Sequence, residues 1–83
     1  MFYMYVIKSE EDYYVGSTND LKRRMSEHNS NKGGLTTQGR LWELVYYEAY
    51  KTEKAVRVRE KELKHNRRVK QFLLDRIKRY ELM

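Results

Sequence analysis

Five side chains in this sequence make a set that suits phosphodiester chemistry, Tyr5, Tyr14, Arg24, His28 and Glu60, and three of them, Arg24, His28 and Glu60, break the amphipathic pattern of their own helices. Arg24 and His28 recur with Leu21 and Met25 at i, i+3, i+4 and i+7, so a cation and an imidazole share the helix side that carries the apolar anchors. Glu60 stands on a second such stripe with Val56, Arg59 and Leu63. Charges set beside a core are expected where function is. An arginine offers forked donors to a phosphate, a carboxylate can hold a divalent cation, and a Tyr or His beside a basic group can take a proton from water. The bland alternative is a buried Arg24–Glu60 ion pair that only joins two helices.

The elements that must place these groups follow from local pattern. Phe2 to Ile7 is β-rich, with Tyr3, Tyr5 and Ile7 on one face and Phe2, Met4 and Val6 on the other. Lys8 to Glu11 is turn-like and Asp12 to Gly16 resumes β character, which predicts an antiparallel hairpin. A four-residue loop sets Tyr5 opposite Tyr14, and a one-residue slip would send Tyr14 to the other face. Ser17 to Asp20 supplies N-cap candidates for a helix running to about His28. Asn29 to Gly39 is a polar, glycine-bearing stretch, a candidate binding loop.

Leu41 to Tyr50 alternates Trp42, Leu44 and Tyr46 with Val45, Tyr47 and Ala49, which predicts a strand buried on both faces and hence central. Thr52-Glu53 opens a second helix. After His65-Asn66 a last helix carries Val69, Phe72, Leu73, Ile77 and Tyr80 on one face, expected to be core, and Arg67, Arg68, Lys70, Lys78 and Arg79 largely on the other. The expected fold is α+β, a small, mainly antiparallel three-stranded sheet flanked by helices in the order β-β-α-β-α-α. Tyr3, Tyr13, Tyr46, Tyr47 and Tyr50 are expected to be sheet packing, and His65 a helix-end residue.

With 83 residues the chain is expected to form a single domain, 1–83, too small for a deep enclosed cavity. It has no Cys and two His, which excludes a disulfide or a structural zinc site built from its own side chains. The apolar opening of seven residues runs into Lys8-Ser9-Glu10-Glu11, too short for a signal-peptide core, and no stretch is long enough to span a membrane, so a cytoplasmic protein is expected. Net charge is +6, and the excess lies in residues 51–83, with twelve Lys/Arg against five Asp/Glu. A second basic knot is Lys22-Arg23-Arg24. Such clustering attracts a polyanion, nucleic acid first. Lys22, Arg23, Arg59, Lys64, Arg67, Arg68 and Lys70 are the candidate phosphate contacts.

The order and spacing of these residues resembles the GIY-YIG endonuclease superfamily, in particular its stand-alone single-domain branch. The residues that carry the likeness are Tyr3-Met4-Tyr5, then Tyr14-Val15-Gly16, Leu21, Arg24 and His28, and Glu60 within Ala55 to Lys64; it runs from residue 3 to about residue 70. The resemblance implies that Tyr5 and Tyr14 are the paired motif tyrosines, with Tyr5 as general base and Tyr14 orienting phosphate or water. It implies further that Arg24 clamps phosphate and that Glu60 holds one Mg²⁺ or Mn²⁺. A phenol titrates near ~10, so Tyr5 would need Arg24, His28, Lys22 or a metal-bound hydroxide nearby. Two departures stand out: Tyr3 replaces the first motif glycine, and the amide often found a dozen residues beyond the glutamate has only Gln71 as a counterpart.

The expected function is metal-dependent hydrolysis of DNA with low sequence specificity, in repair or recombination, with targeting from DNA shape or a separate protein. The alternative is a nucleic-acid-binding module of the same fold with weak or no catalysis. An adaptor using the basic last helix at a protein or membrane surface is a third class, disfavoured because Phe72, Leu73 and Ile77 are needed for the core.

Overall fold

The structure, a computed structural model, describes residues 1–30 and 40–83. Residues 31–39, most of the candidate binding loop, lie outside the described residues. The elements are β1 (Phe2–Ser9), β2 (Asp12–Thr18), α1 (Leu21–His28), β3 (Glu43–Tyr50), α2 (Glu53–His65) and α3 (Arg67–Glu81). They make one antiparallel sheet in the order β2-β1-β3. The expected α+β class and element order hold.

Each helix begins where a side chain can accept an orphan backbone N–H. Asp20 accepts from the Arg23 amide at 3.0 Å, Thr52 from Ala55 at 3.1 Å and Asn66 from Val69 at 3.2 Å. Asn66 also closes α2 through its own amide, donated to the Glu62 carbonyl, so one residue breaks the chain into two helices.

The hairpin differs from the expected one. Ser9 pairs with Asp12, which leaves a two-residue loop, Glu10-Glu11, with Glu10 in the left-handed region at φ 55°. A two-residue loop whose twist matches the strands requires such a residue. Tyr5 therefore faces Gly16, and Tyr14 faces Ile7. The displacement is two residues, so parity is kept and Tyr14 stays on Tyr5's side of the sheet.

The central strand is β1, not β3. Met4, Tyr5, Val6 and Ile7 are all essentially inaccessible, as a strand covered on both faces must be. β3 is an edge strand on which Glu43, Tyr47 and Ala49 are exposed. A bulge against Val6/Ile7 sets Tyr46 opposite Val6 and Leu44 opposite Ile7, so Leu44 and Tyr46 end on opposite faces, contrary to simple alternation.

The two faces have separate cores. Met4, Val6 and Val15 pack with Val56 and Leu63 of α2 and Leu73, Leu74 and Ile77 of α3. Tyr5, Ile7 and Trp42 pack with Tyr14, Leu44 and the α1 residues Leu21 and Met25. Phe72 is not core: it is 69% exposed, because the inward stripe of α3 is centred on Leu73, Leu74 and Ile77 and leaves Phe72 a step of about 100° outside it. Tyr80 is exposed too.

Candidate functional site

Tyr5 is where the geometry concentrates. Its ring lies over Gly16, its register partner, so closely that a Cβ built on the glycine would fall 2.4 Å from the phenol oxygen. The glycine of Tyr14-Val15-Gly16 is thus the space into which Tyr5 folds. Tyr5 Oη lies 2.7 Å from His28 Nε2 and accepts a hydrogen bond from Arg24 Nε at 3.3 Å. The helical spacing of Arg24 and His28 delivers both groups to one atom. Tyr14 meets the same imidazole edge to face, with ring centroids 5.5 Å apart, and Tyr5 does so at 5.7 Å.

Burial raises the Tyr5 phenol above its ordinary value of 10, against the partial counter-pull of the Arg24 hydrogen bond and charge. Arg24 stands where a basic Tyr5 needs it and eases ionisation of the phenol, but in the resting protein desolvation outweighs it. His28 is buried and its pKa lies below the usual 6.5, from desolvation first and the Arg24 charge second. Both causes favour the neutral imidazole. Its Nδ1 is buried without a hydrogen-bond partner among the described residues.

Glu60 sits on α2 against the edge strand β2. Its Oε1 accepts from Ser17 Oγ at 2.8 Å and its Oε2 pairs with Lys64 Nζ at 2.9 Å. The same Nζ lies 5.9 Å from the centre of the Tyr14 ring, so Lys64 bridges the carboxylate and the tyrosine cluster. The Arg24–Glu60 ion pair is not formed, since Arg24 Nη1 pairs with Glu27 at 3.1 Å. Both of those side chains stay about a quarter to a third exposed.

The other candidates separate into two groups. Lys22 and Arg23 are exposed on α1, and Arg67 and Arg68 on α3, with Lys70 half-buried. Arg59 points to the far side of α2, where it grips Glu48 at 2.9 and 3.2 Å and Glu62 as well, a network completed by the Tyr46 and Tyr50 hydroxyls on Glu48. Gln71 donates to Asp75 along α3, and His65 is exposed at the end of α2.

Sequence reasoning missed three positioning contacts. Asn29 pairs with the Trp42 backbone through both ends of its amide, at 2.9 and 2.7 Å, tying the end of α1 to the approach of β3. Arg40 lies over the Trp42 ring and binds Asp12 and the Ser9 carbonyl. Ser17 holds Glu60. Only the Asn and Ser types at turn and cap positions hinted at these, because the partners are distant in the chain.

A model of the GIY-YIG catalytic domain matches residues 1–80. The chain belongs to the GIY-YIG family. Among curated proteins it is 40% identical over 76 residues to a UPF0213 protein of Haloquadratum walsbyi, covering 88% of this chain and 85% of that one. It is 37% identical over 68 residues to a UPF0213 protein of Streptococcus pneumoniae, 80% and 69% covered. A third, from Streptococcus pyogenes, is 42% identical over 55 residues, 64% and 60% covered. No solved structure matches the chain. The family match extends past the resemblance through most of α3, to residue 80. Membership places the chain in a nuclease family, and among the described residues no helix is long and apolar enough to cross a membrane.

Proposed function

We propose that the protein is a divalent-metal-dependent endonuclease that hydrolyses DNA phosphodiester bonds with low sequence specificity. The observation that carries this reading is the hydrogen-bonded row Arg24–Tyr5–His28 between α1 and β1, with a partly buried carboxylate, Glu60, on α2 whose charge is felt at Tyr5 and whose partner Lys64 reaches the Tyr14 ring.

The donor set fits a hard cation of the magnesium type. No cluster of three or more His, Cys, Asp or Glu residues exists among the described residues, so a closed protein cage is not available. One carboxylate, with phosphate oxygens and waters completing the shell, is how Mg²⁺ or Mn²⁺ is commonly held. Glu60 would be that ligand, and the ion would stabilise charge developing on the phosphate.

The chain's own residues supply the rest. Arg24 has a guanidinium edge free to fork onto a phosphate once Glu27 yields. With the His28 proton assigned to Nδ1, Nε2 accepts from the Tyr5 hydroxyl. As water attacks phosphorus, its proton passes to Tyr5 Oη while the phenol proton passes to His28 Nε2. The new P–O bond forms, and the leaving oxygen departs with its electron pair and is protonated by solvent. Tyr5 acts without ever becoming a free phenolate, which its burial disfavours, and the imidazolium formed on His28, which burial and Arg24 also disfavour, returns its proton as the product leaves. Tyr14 and Lys64 border the phosphate. Lys22, Arg23, Arg67, Arg68 and Lys70 add sequence-independent attraction, and targeting would come from DNA shape or a partner protein.

The test is plasmid nicking with and without Mg²⁺, beside DNA binding in EDTA. Wild type should nick only with metal. Glu60→Gln, which keeps shape but removes the charge, should bind DNA in EDTA as well as wild type and lose nicking by several orders of magnitude. Equal nicking by Glu60→Gln across a Mg²⁺ titration would sink the metal assignment. DNA binding with no nicking under any metal would favour the non-catalytic binding module.

A further inference from the structure

The sheet face that carries Tyr5 is only partly covered. α1 packs over Ile7, Tyr14 and Tyr5. Further along the strands, Tyr47 lies directly opposite Tyr5 and Ala49 opposite Tyr3, so all four share that face. There Tyr47 is 53% exposed, Ala49 is exposed and Tyr3 is half-buried. Tyr47 was expected to be sheet packing, and the edge position of β3 leaves about half of it in solvent instead. The Tyr3 and Tyr47 rings meet nearly perpendicular, 70° between planes and 5.9 Å between centroids. In that geometry one ring offers an edge and the other a face, which restricts both while leaving aromatic surface open.

We infer that Tyr47, braced by Tyr3, is a stacking platform for an unpaired DNA base next to the scissile phosphate, so that the site prefers single-stranded or locally unpaired DNA over regular duplex. This deepens the nuclease reading and rests on it. The Cβ atoms of Tyr47 and Tyr5 stand about 5 Å apart, and the Tyr5 ring leans from there over Gly16 on β2, so a base on Tyr47 lies within about two nucleotides of a phosphate held beside Tyr5 and Arg24. In a regular duplex the base faces are spent on each other, and a side chain can stack only on a base that has left the stack. Charge agrees with the occupant locally: exposed Lys22 and Arg23 stand on α1, the helix covering the neighbouring part of this face, while the larger basic excess of residues 51–83 lies with α2 and α3 on the other face. A tyrosine platform with Lys22 and Arg23 on the adjoining helix matches the requirement of single strands, in which rings take the bases and cations follow the backbone.

The experiment measures binding in EDTA at fixed salt to three DNA probes of one length: a single strand, a duplex with a two-base bulge and a fully paired duplex. 2-Aminopurine at the unpaired position reports stacking by fluorescence. Wild type should favour the first two. Tyr47→Ala should lose about five- to hundredfold on those two alone, the worth of one stacked base, while Tyr47→Phe keeps the preference and the fluorescence change. Arg23→Ala should weaken all three probes alike. Equal binding of paired and unpaired probes by wild type, or a uniform loss in Tyr47→Ala, overturns the platform and leaves the nuclease reading standing. A change of oligomeric state in Tyr47→Ala by sedimentation overturns it in favour of a second copy on β3. Failure of wild type to bind any probe overturns both readings.

Discussion

A Cβ at residue 16 would lie 2.4 Å from Tyr5 Oη and 2.6 Å from Cζ, where an ordinary contact begins at 3.4 Å, so Gly16→Ala obliges the ring of Tyr5 to withdraw by about 1 Å. It has little room to do so. Tyr5 is 1% exposed and its oxygen is held by His28 and Arg24. Overpacking of this kind costs about 1–3 kcal/mol. For a domain of this size that is a fall in Tm of about 4–8 °C for each kcal/mol. A displacement of about 1 Å at a reacting group can also cost ~100-fold in rate. The assay is thermal unfolding by circular dichroism beside metal-dependent nicking, on Gly16→Ala, Tyr5→Phe and the double variant. Removing the hydroxyl relieves the closest contact, so the double variant should be more stable than the sum of the two single losses implies, by about 0.5 kcal/mol or more. A Gly16→Ala protein with wild-type Tm and wild-type nicking, or strict additivity in the double variant, would refute the claim that the motif glycine exists to seat Tyr5.

Arg24→Ala should stay folded, with Tm lowered by a few degrees at most, because a partly exposed pair such as Arg24–Glu27 is worth only about 0–1 kcal/mol. Nicking should be abolished, and an unfolded variant would instead make Arg24 a structural residue. Lys64→Met should raise Mn²⁺ affinity without DNA by up to about fivefold in calorimetry, since it removes the ammonium that competes for Glu60. Unchanged or weaker Mn²⁺ binding would count against Glu60 as the ligand. Burial alone would raise the Glu48 carboxyl, but the hydrogen bonds from Arg59, Tyr50 and Tyr46 outweigh it and hold the pKa below 4.5. The unfolded chain therefore takes up that proton first, and the stabilisation is present above 4.5 and lost as pH falls through the native value. Glu48→Gln should flatten the acid limb of a Tm-against-pH curve, and parallel limbs in the two proteins would contradict this. Tyr50, pushed up to about 12 by burial and by Glu48, should titrate late in phenolate absorbance and earlier in Glu48→Gln.

What depends on neighbours in the chain was readable from the sequence. Asp20, Thr52 and Asn66 cap helices through amides three residues on. The i, i+4 spacing of Arg24 and His28 sends both to one side of α1, whatever that side meets. The alternation of the first two strands places Tyr5 and Tyr14 on one face in any register shifted by an even number of residues. The tertiary structure decided everything that turns on what lies across a gap. Sequence alternation could not show that β3 is an edge, because an aromatic strand reads the same whether its outer ring is covered or left in water. It could not show the bulge that parts Leu44 from Tyr46, since a bulge is a property of a strand pair. Arg24 and Glu60 have complementary charges on apolar stripes, yet α1 and α2 pack on opposite faces of the sheet, so each found a nearer partner, Glu27 and Lys64. The pKa of Tyr5 was the hardest quantity to foresee: its sign follows from how completely the fold removes water from one oxygen, and no list of neighbouring charges contains that.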